Sequence, residues 1–365
     1  MLCQDWPEPI TRVQTLSESG ITSIPECYIK PESQRPTNPI SSNKASSNDE
    51  DINIPIIDMQ NLYGGDERLR EAALRRMSEA CREWGFFQVV NHGVSHELIK
   101  SVREAWLEFF NQPIEVKEVY ANLPNTYEGY GSRLGVKKGA ILDWSDYFFL
   151  HYMPSSLKDQ SKWPSFPTSL RNTIDDYSKE VVKLGGKILE LMSLNLGLSQ
   201  DYLLNAFGGE SGLGACLRVN FYPKCPQPDL TLGLSSHSDP GGMTLLLPDD
   251  SVSGLQVRKG EDWITVKHVP NAFLINIADQ IQIMSNAIYK SVDHRVIVNP
   301  NKERLSLAMF YNPNGNLLIQ PAKELVTKER PALYSPMTFN EYRLYIRTMG
   351  LKGKAQLVES STSQI

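Results

Sequence analysis

ACLRVNFY at residues 215–222, MTLLL at 243–247 and RLSLAMFYN at 304–312 decide how this chain folds. Each is a short run of β-branched, aromatic and aliphatic residues. Further runs at 254–258, 263–267, 272–277, 281–284 and 290–298 follow at steps of roughly ten residues, divided by Pro, Gly and Asp. This spacing predicts an all-β sandwich or barrel, and a jelly roll is the version suited to holding a metal. Alternate side chains of a strand share a face. Arg218, Asn220 and Tyr222 therefore project together, as do Arg304, Ser306, Ala308 and Phe310.

The chemistry-bearing residues fall among these strands. His237 and Asp239 are two apart, on a loop or strand edge, and His294 follows 57 residues later. Two imidazoles and one carboxylate can occupy one face of an octahedral ion and leave three positions open, the facial triad of non-haem Fe(II) oxygenases. Arg304 lies ten residues past His294, about one strand and a turn, so it can enter the same cavity with Ser306. Alone, an H-x-D, a single His or an R-x-S says little. Their conjunction inside a β-barrel carries the metal reading. The remaining histidines lack such partners: His92 reads as structural, and His96, His151 and His268 as surface or loop residues. Cys216 and Cys225 have no third thiol, so burial explains them better than metal binding. Gly241-Gly242 is too short for a phosphate loop and marks a tight turn beside the metal.

Outward from this core, 365 residues allow one elaborate domain. A net charge of −5 and a pI near 5.8 argue against a nucleic-acid surface. Five scattered cysteines without a C-x-x-C read as reduced thiols, in a cytoplasmic or nuclear compartment. No secretory signal and no membrane-spanning run is visible. The expected partner is a small molecule, and the chain is expected to be a monomer without nucleic-acid or membrane partners. Helical periodicity marks 66–84, 96–111, 168–196 and 338–349, the last capped by Thr338. Residues 1–53 form an arm and a mobile linker (32–53), with Trp6, Leu16 and Ile21 available to dock on the body. The other segments are an N-terminal helical region (54–200), the jelly-roll core (201–320), and a C-terminal helix with a disordered tail from Gly353 (321–365).

The stretches IPIID at 54–58, WGFFQVVNHG at 84–93 and NFYPKCP at 220–226, with the H-x-D, the distal His and the R-x-S, are similar to those of the plant 2-oxoglutarate- and Fe(II)-dependent dioxygenases. The resemblance covers roughly 54–349. It departs at Ala278, where relatives usually carry Gly. It implies a distorted double-stranded β-helix, mainly β with flanking helices. It also implies that Arg304 and Ser306 bind the distal carboxylate of 2-oxoglutarate, assisted by Tyr222 and Asn220. O2 would be the oxidant and ascorbate a supporting reductant, with succinate and CO2 released as a C–H bond is hydroxylated.

YEGYGSRLG at 127–135, DWSDYFFL at 143–150 and YRLYIRT at 342–348 further resemble the jasmonate-induced oxygenases, also called jasmonic acid oxidases. That subfamily implies hydroxylation of jasmonic acid at carbon 12, jasmonate catabolism and a place in jasmonate signalling and plant defense. The residues supply a physical reason. Arg343 and Arg347 are i and i+4 on one helix face, Phe339 lies one turn earlier, and Arg218 faces the barrel interior. Three guanidiniums suit a carboxylate substrate, with Phe149, Phe310 or Phe339 against its apolar body. A solvated helix face is the competing reading of Arg343 and Arg347. Another small metabolite such as a flavonoid, an ascorbate-dependent oxidase and a catalytically silent hormone sensor are the competing functions.

Overall fold

Twelve strands of the computed structural model, which describes residues 8–36, 53–124, 127–133, 137–349 and 357, assemble into two sheets. They are β1 (Ile56–Asp58), β2 (Phe86–Val90), β3 (Gly129–Gly131), β4 (Asp146–Met153), β5 (Gly214–Tyr222), β6 (Leu234–His237), β7 (Met243–Leu247), β8 (Leu255–Lys259), β9 (Asp262–Thr265), β10 (Phe273–Ile277), β11 (His294–Val296) and β12 (Arg304–Asn312). The major sheet runs β1-β2-β10-β7-β12-β5-β4-β3 and the minor sheet β6-β11-β8-β9. This is the expected double-stranded β-helix with flanking helices. Of the expected strands, 290–298 shrinks to β11.

One expected strand is a helix. Asp279–Met284 is helical, although Ile281-Gln282-Ile283 alternates as a half-buried strand would. Its entry is fixed by the loop after Asp239: the amides of Ala278, Asp279 and Gln280 donate to the carbonyls of Gly242, Asp239 and Gly241 at 3.0, 2.9 and 2.8 Å. With those donors committed, the chain turns away from the sheet. All six residues are buried, so burial removes the solvent-facing side that the alternation implied.

The outer face of the major sheet makes the main core. Helices Glu67–Glu83, His96–Phe110 and Leu170–Asn195 bury Met77, Trp106, Phe110, Ile174 and Ile188 against Phe148, Phe221 and Leu307. Phe110 stacks on Phe221 with centroids 4.8 Å apart. Burying one such ring contributes on the order of 2–3 kcal/mol. Asp66 caps the first helix through Arg68 N (2.9 Å) and Leu69 N (3.3 Å). Leu69 and Leu194, expected on the buried stripes, sit in terminal turns and are exposed.

The final helix, Phe339–Met349, starts with a capping box: Thr338 Oγ1 accepts from Glu341 N (3.2 Å), and the Glu341 carboxylate accepts from Thr338 N (2.8 Å). Tyr342 Oη donates to Asp279 Oδ2 at 2.6 Å, tying this helix to the first residue of the buried Asp279–Met284 helix.

The N-terminal arm docks as expected: Val13, Ile24 and Tyr28 are buried between arm and barrel, with Leu16 and Ile21 packed beside them. Trp6, residues 37–52 of the expected linker and the tail from Gly353, apart from Leu357, lie outside the described residues. Among the described residues no helix is long and apolar enough to cross a membrane.

Candidate active site

The antiparallel register of β5 and β12 builds one wall of the site. It places Arg304 opposite Tyr222, Ser306 opposite Asn220, Ala308 opposite Arg218 and Phe310 opposite Cys216. On the other flank of β5, β4 sets Tyr147 opposite Asn220 and Phe149 opposite Arg218. Strand alternation therefore brings Arg218, Asn220, Tyr222, Arg304, Ser306, Phe310 and Phe149 to the inner face.

The opposite wall supplies the ligands. β6 pairs with β11 so that His237 lies directly across from His294, with ring centroids 4.2 Å apart. Asp239 follows β6, and its Oδ1 is 3.4 Å from His237 Nε2 and 3.6 Å from His294 Nε2. All three are buried, and one ligand atom from each lies within 4.8 Å of the others. The surrounding bonds engage the other polar atoms of the three side chains. His237 Nδ1 donates to the carbonyl of Ser235 (2.8 Å) and His294 Nδ1 to that of Val292 (3.3 Å), which turns both Nε2 atoms inward. Asp239 Oδ2 accepts from Thr244 Oγ1 and Asn276 Nδ2, both at 2.6 Å, leaving Oδ1 for a metal.

The electrostatics agree with a cation site. Burial raises the Asp239 pKa, but the two imidazoles outweigh it and hold the carboxyl below the usual range. Burial and the neighbouring His237 push His294 down to about 4. Burial also acts to lower His237, yet its bond to Asp239 and that carboxylate's charge leave it raised. Two nitrogens and one anionic oxygen, buried and convergent, fit a divalent ion such as Fe(II).

Arg304 is 4% exposed, and among the described residues its buried Nε has no hydrogen-bond partner. One terminal nitrogen is 3.4 Å from Ser306 Oγ, and the guanidinium lies 5.1 Å from the Tyr222 ring centroid. Gly254 gives the side chain room: a Cβ there would sit 3.1 Å from Arg304 Cδ and 2.9 Å from the Ile297 carbonyl. An orphaned donor on a buried cation fits a carboxylate-bearing co-substrate such as 2-oxoglutarate.

Arg218 Nε donates to Asn220 Oδ1 at 2.7 Å, and its guanidinium lies over the Tyr147 ring at 4.0 Å. Arg343 is exposed, with its guanidinium 5.6 Å from the buried Phe339 ring. Its charge reaches the Cys216 thiol, which burial pushes up to about 12 against the pull of Arg343. Arg347 is four residues further along the helix; its side chain lies outside the described residues.

The remaining histidines and cysteines follow the sequence reading with one correction. His92 is structural, donating to Asn271 O (2.8 Å) and accepting from Val94 N (3.1 Å). His96 is exposed and His268 lies in a loop. His151 is not a surface or loop residue: it is half-buried on β4, 3.3 Å from Cys216 Sγ and edge-on to Phe149 at 5.2 Å. The period-two pattern of β4 carries it to the inner face. The four described cysteines are free, and Cys216 and Cys225 are buried. The Gly241-Gly242 turn beside the triad owes its glycines to space: a Cβ on Gly242 would meet the Phe207 ring at 2.2 Å. Thr244 and Asn276 were missed. Each is a lone polar residue on an otherwise apolar buried strand, a signal that a partner must exist.

Comparison with known proteins matches this architecture. The 2OG-Fe(II) oxygenase superfamily model matches residues 213–313, and the model for the N-terminal region of non-haem dioxygenases in morphine synthesis matches 54–166. The chain is 61% identical over 362 residues to Jasmonate-induced oxygenase 1 of Arabidopsis thaliana, covering 99% of this chain and 88% of that one. It is 38% identical to a Leucoanthocyanidin dioxygenase of Malus domestica, covering 91% and 93%. The crystal structure of JOX2 in complex with 2OG, Fe and JA superposes with a TM-score of 0.89 at 59% identity, covering 98% of this chain and 99% of that one. That of a rice dioxygenase for auxin oxidation gives 0.71 at 25% identity, covering 84% and 99%. The chain belongs to the 2OG-Fe(II) oxygenase superfamily and is a 2-oxoglutarate-dependent dioxygenase whose cofactor is iron.

Proposed function

We propose that the enzyme hydroxylates jasmonic acid at carbon 12 and so lowers the active hormone pool. The observation that carries the proposal is the register of β5. It sets Arg218 one inner-face position beyond Asn220, flanked by Phe149 on β4 and Ala308 on β12. A cationic group thus lies on the same inner wall as Arg304, two inner-face positions along β5 from Tyr222, with the Tyr147 and Phe149 rings beside it. Similarity to the Jasmonate-induced oxygenases, and to the JOX2 structure containing JA, supports the same substrate.

His237, Asp239 and His294 hold the iron. Bound there with 2-oxoglutarate, it supplies O2-dependent hydroxylation with succinate and CO2 as co-products. Arg304 and Ser306 fix the distal carboxylate of 2-oxoglutarate, and Tyr222 and Asn220 line the same end. Arg218, Arg343 and Arg347 hold the substrate carboxylate, while Phe149, Phe310 and Phe339 enclose its apolar body. These side chains keep water from the reacting carbon and orient one C–H bond toward the metal. We take 201–320 as the catalytic core and 54–200 as the region lending it β1 to β4. The scattered free cysteines support a cytoplasmic or nuclear setting. Action on jasmonate would place the enzyme in defense signalling.

The test is product analysis by mass spectrometry with a panel of hormone acids and flavonoids, alongside succinate release. Jasmonic acid should gain one oxygen on its pentenyl terminus, with one succinate formed from 2-oxoglutarate per product. Faster coupled turnover of a flavonoid would refute the substrate while leaving the oxygenase chemistry intact.

A further inference from the structure

Lys30 belongs to the N-terminal arm, outside both regions matched by the family models. Its side chain is 2% exposed. The Nζ donates to Asp143 Oδ1 at 2.8 Å and to Ser235 Oγ at 3.0 Å, and Ser235 Oγ donates to the same Asp143 oxygen at 2.6 Å. Backbone bonds hold these groups in place. Lys30 N donates to Leu230 O at 2.8 Å, and Trp144 N to Leu232 O at 2.8 Å. The segment entering β6 is thus clamped between the arm and the residues before β4. Ser235 is also the residue whose carbonyl accepts from His237 Nδ1. The sequence alone does not single out this lysine.

We propose that Lys30 is a positioning residue for the metal centre. It acts through Asp143 and Ser235 to fix the carbonyl that orients the His237 ring, so the arm is part of the catalytic unit. A triangle of cation, carboxylate and hydroxyl closes behind Ser235. Lys30 is the buried member of the triangle, and its charge, taken from water, needs the Asp143 carboxylate and the Ser235 hydroxyl that meet it. Ser235 in turn fixes which His237 nitrogen carries the proton and where the ring points. Groups one step behind a metal ligand typically change metal affinity by about 10- to 100-fold. Lys30 acts one step further back, so about tenfold is expected. The inference rests on the reading of His237 as a ligand.

The test is Co(II) binding to the full chain, followed by calorimetry and by the visible ligand-field spectrum. Lys30→Met keeps the apolar stem and removes the charge. It should weaken Co(II) about tenfold and alter the spectrum, with a far-UV circular dichroism spectrum like wild type. Ser235→Ala removes the hydroxyl but keeps the carbonyl, and should weaken Co(II) by about threefold even if Lys30→Met folds poorly. Arg12→Met is the control. Arg12 anchors the same arm to Glu118 at 2.6 Å, away from this network. It should lower the melting temperature and leave Co(II) affinity within about twofold. Wild-type Co(II) affinity in both Lys30→Met and Ser235→Ala overturns the proposal. An equal loss in Arg12→Met overturns it too, since arm docking in general would then be the cause. His237→Ala separates the underlying reading: if it binds Co(II) as wild type, His237 is not a ligand.

Discussion

Replacing Arg304 by Lys tests the co-substrate end with the charge kept. The native guanidinium is almost wholly buried, has an unengaged Nε, and lies near Ser306 Oγ and the Tyr222 ring. It can meet a carboxylate with two parallel N–H groups, whereas an ammonium offers a single compact point of charge on a shorter arm. Losing one charge-assisted hydrogen bond costs about 1.5–3 kcal/mol. At about 1.4 kcal/mol per decade, the KM for 2-oxoglutarate should rise roughly ten- to a hundredfold. The assay is succinate formation at saturating jasmonic acid while 2-oxoglutarate is varied. At saturating 2-oxoglutarate kcat should recover to within about threefold, because the lost contact is made equally in ground and transition states. Ser306→Ala removes only a neutral hydroxyl, about 0.5–1.5 kcal/mol, and should raise the same KM about threefold. An unchanged KM for 2-oxoglutarate in Arg304→Lys, or a rise in the jasmonic acid KM instead, would refute the assignment of this arginine to the co-substrate.

Four further outcomes follow from the same geometry. His237→Ala, Asp239→Ala or His294→Ala should each abolish succinate release and leave the circular dichroism spectrum largely unchanged; near wild-type turnover at low iron would remove that residue from the triad. Asn276→Leu takes one of two hydrogen bonds from the buried Asp239 Oδ2, so iron affinity should fall about tenfold, read by titration of the ion-free protein. Arg218→Ala and the double change Arg343→Ala/Arg347→Ala should each lower kcat/KM toward jasmonic acid while uncoupled 2-oxoglutarate decay stays near wild type. The methyl ester should be a poor substrate, and full activity on the ester would return the helical pair to a solvated face.

What sequence could and could not show divides along the range of the interaction. Alternation has a period of two residues, so Arg218, Asn220 and Tyr222 share one face, and Arg304, Ser306 and Phe310 share one on their own strand, whatever the partner strand. Pairing is a different matter. That Ser306 meets Asn220, or that His294 stands opposite His237, depends on strand register across 86 and 57 residues. No local pattern encodes those distances. Chemistry bridged the gap for the triad, because two imidazoles and a carboxylate have few reasons to converge except an ion. The same local rule misled at Ile281-Gln282-Ile283, where alternation is real but both sides are buried. His151 reads as a surface or loop residue because, taken alone, it carries no sign of Cys216 or Phe149 beside it. Lys30 shows the limit most plainly. A lysine's charge argues for solvent unless a partner carboxylate is known to wait for it, and Asp143 lies 113 residues away. Positions of this kind become legible only when the fold has brought the two charges together. They are therefore the places where the metal site depends on residues that its own motifs do not include.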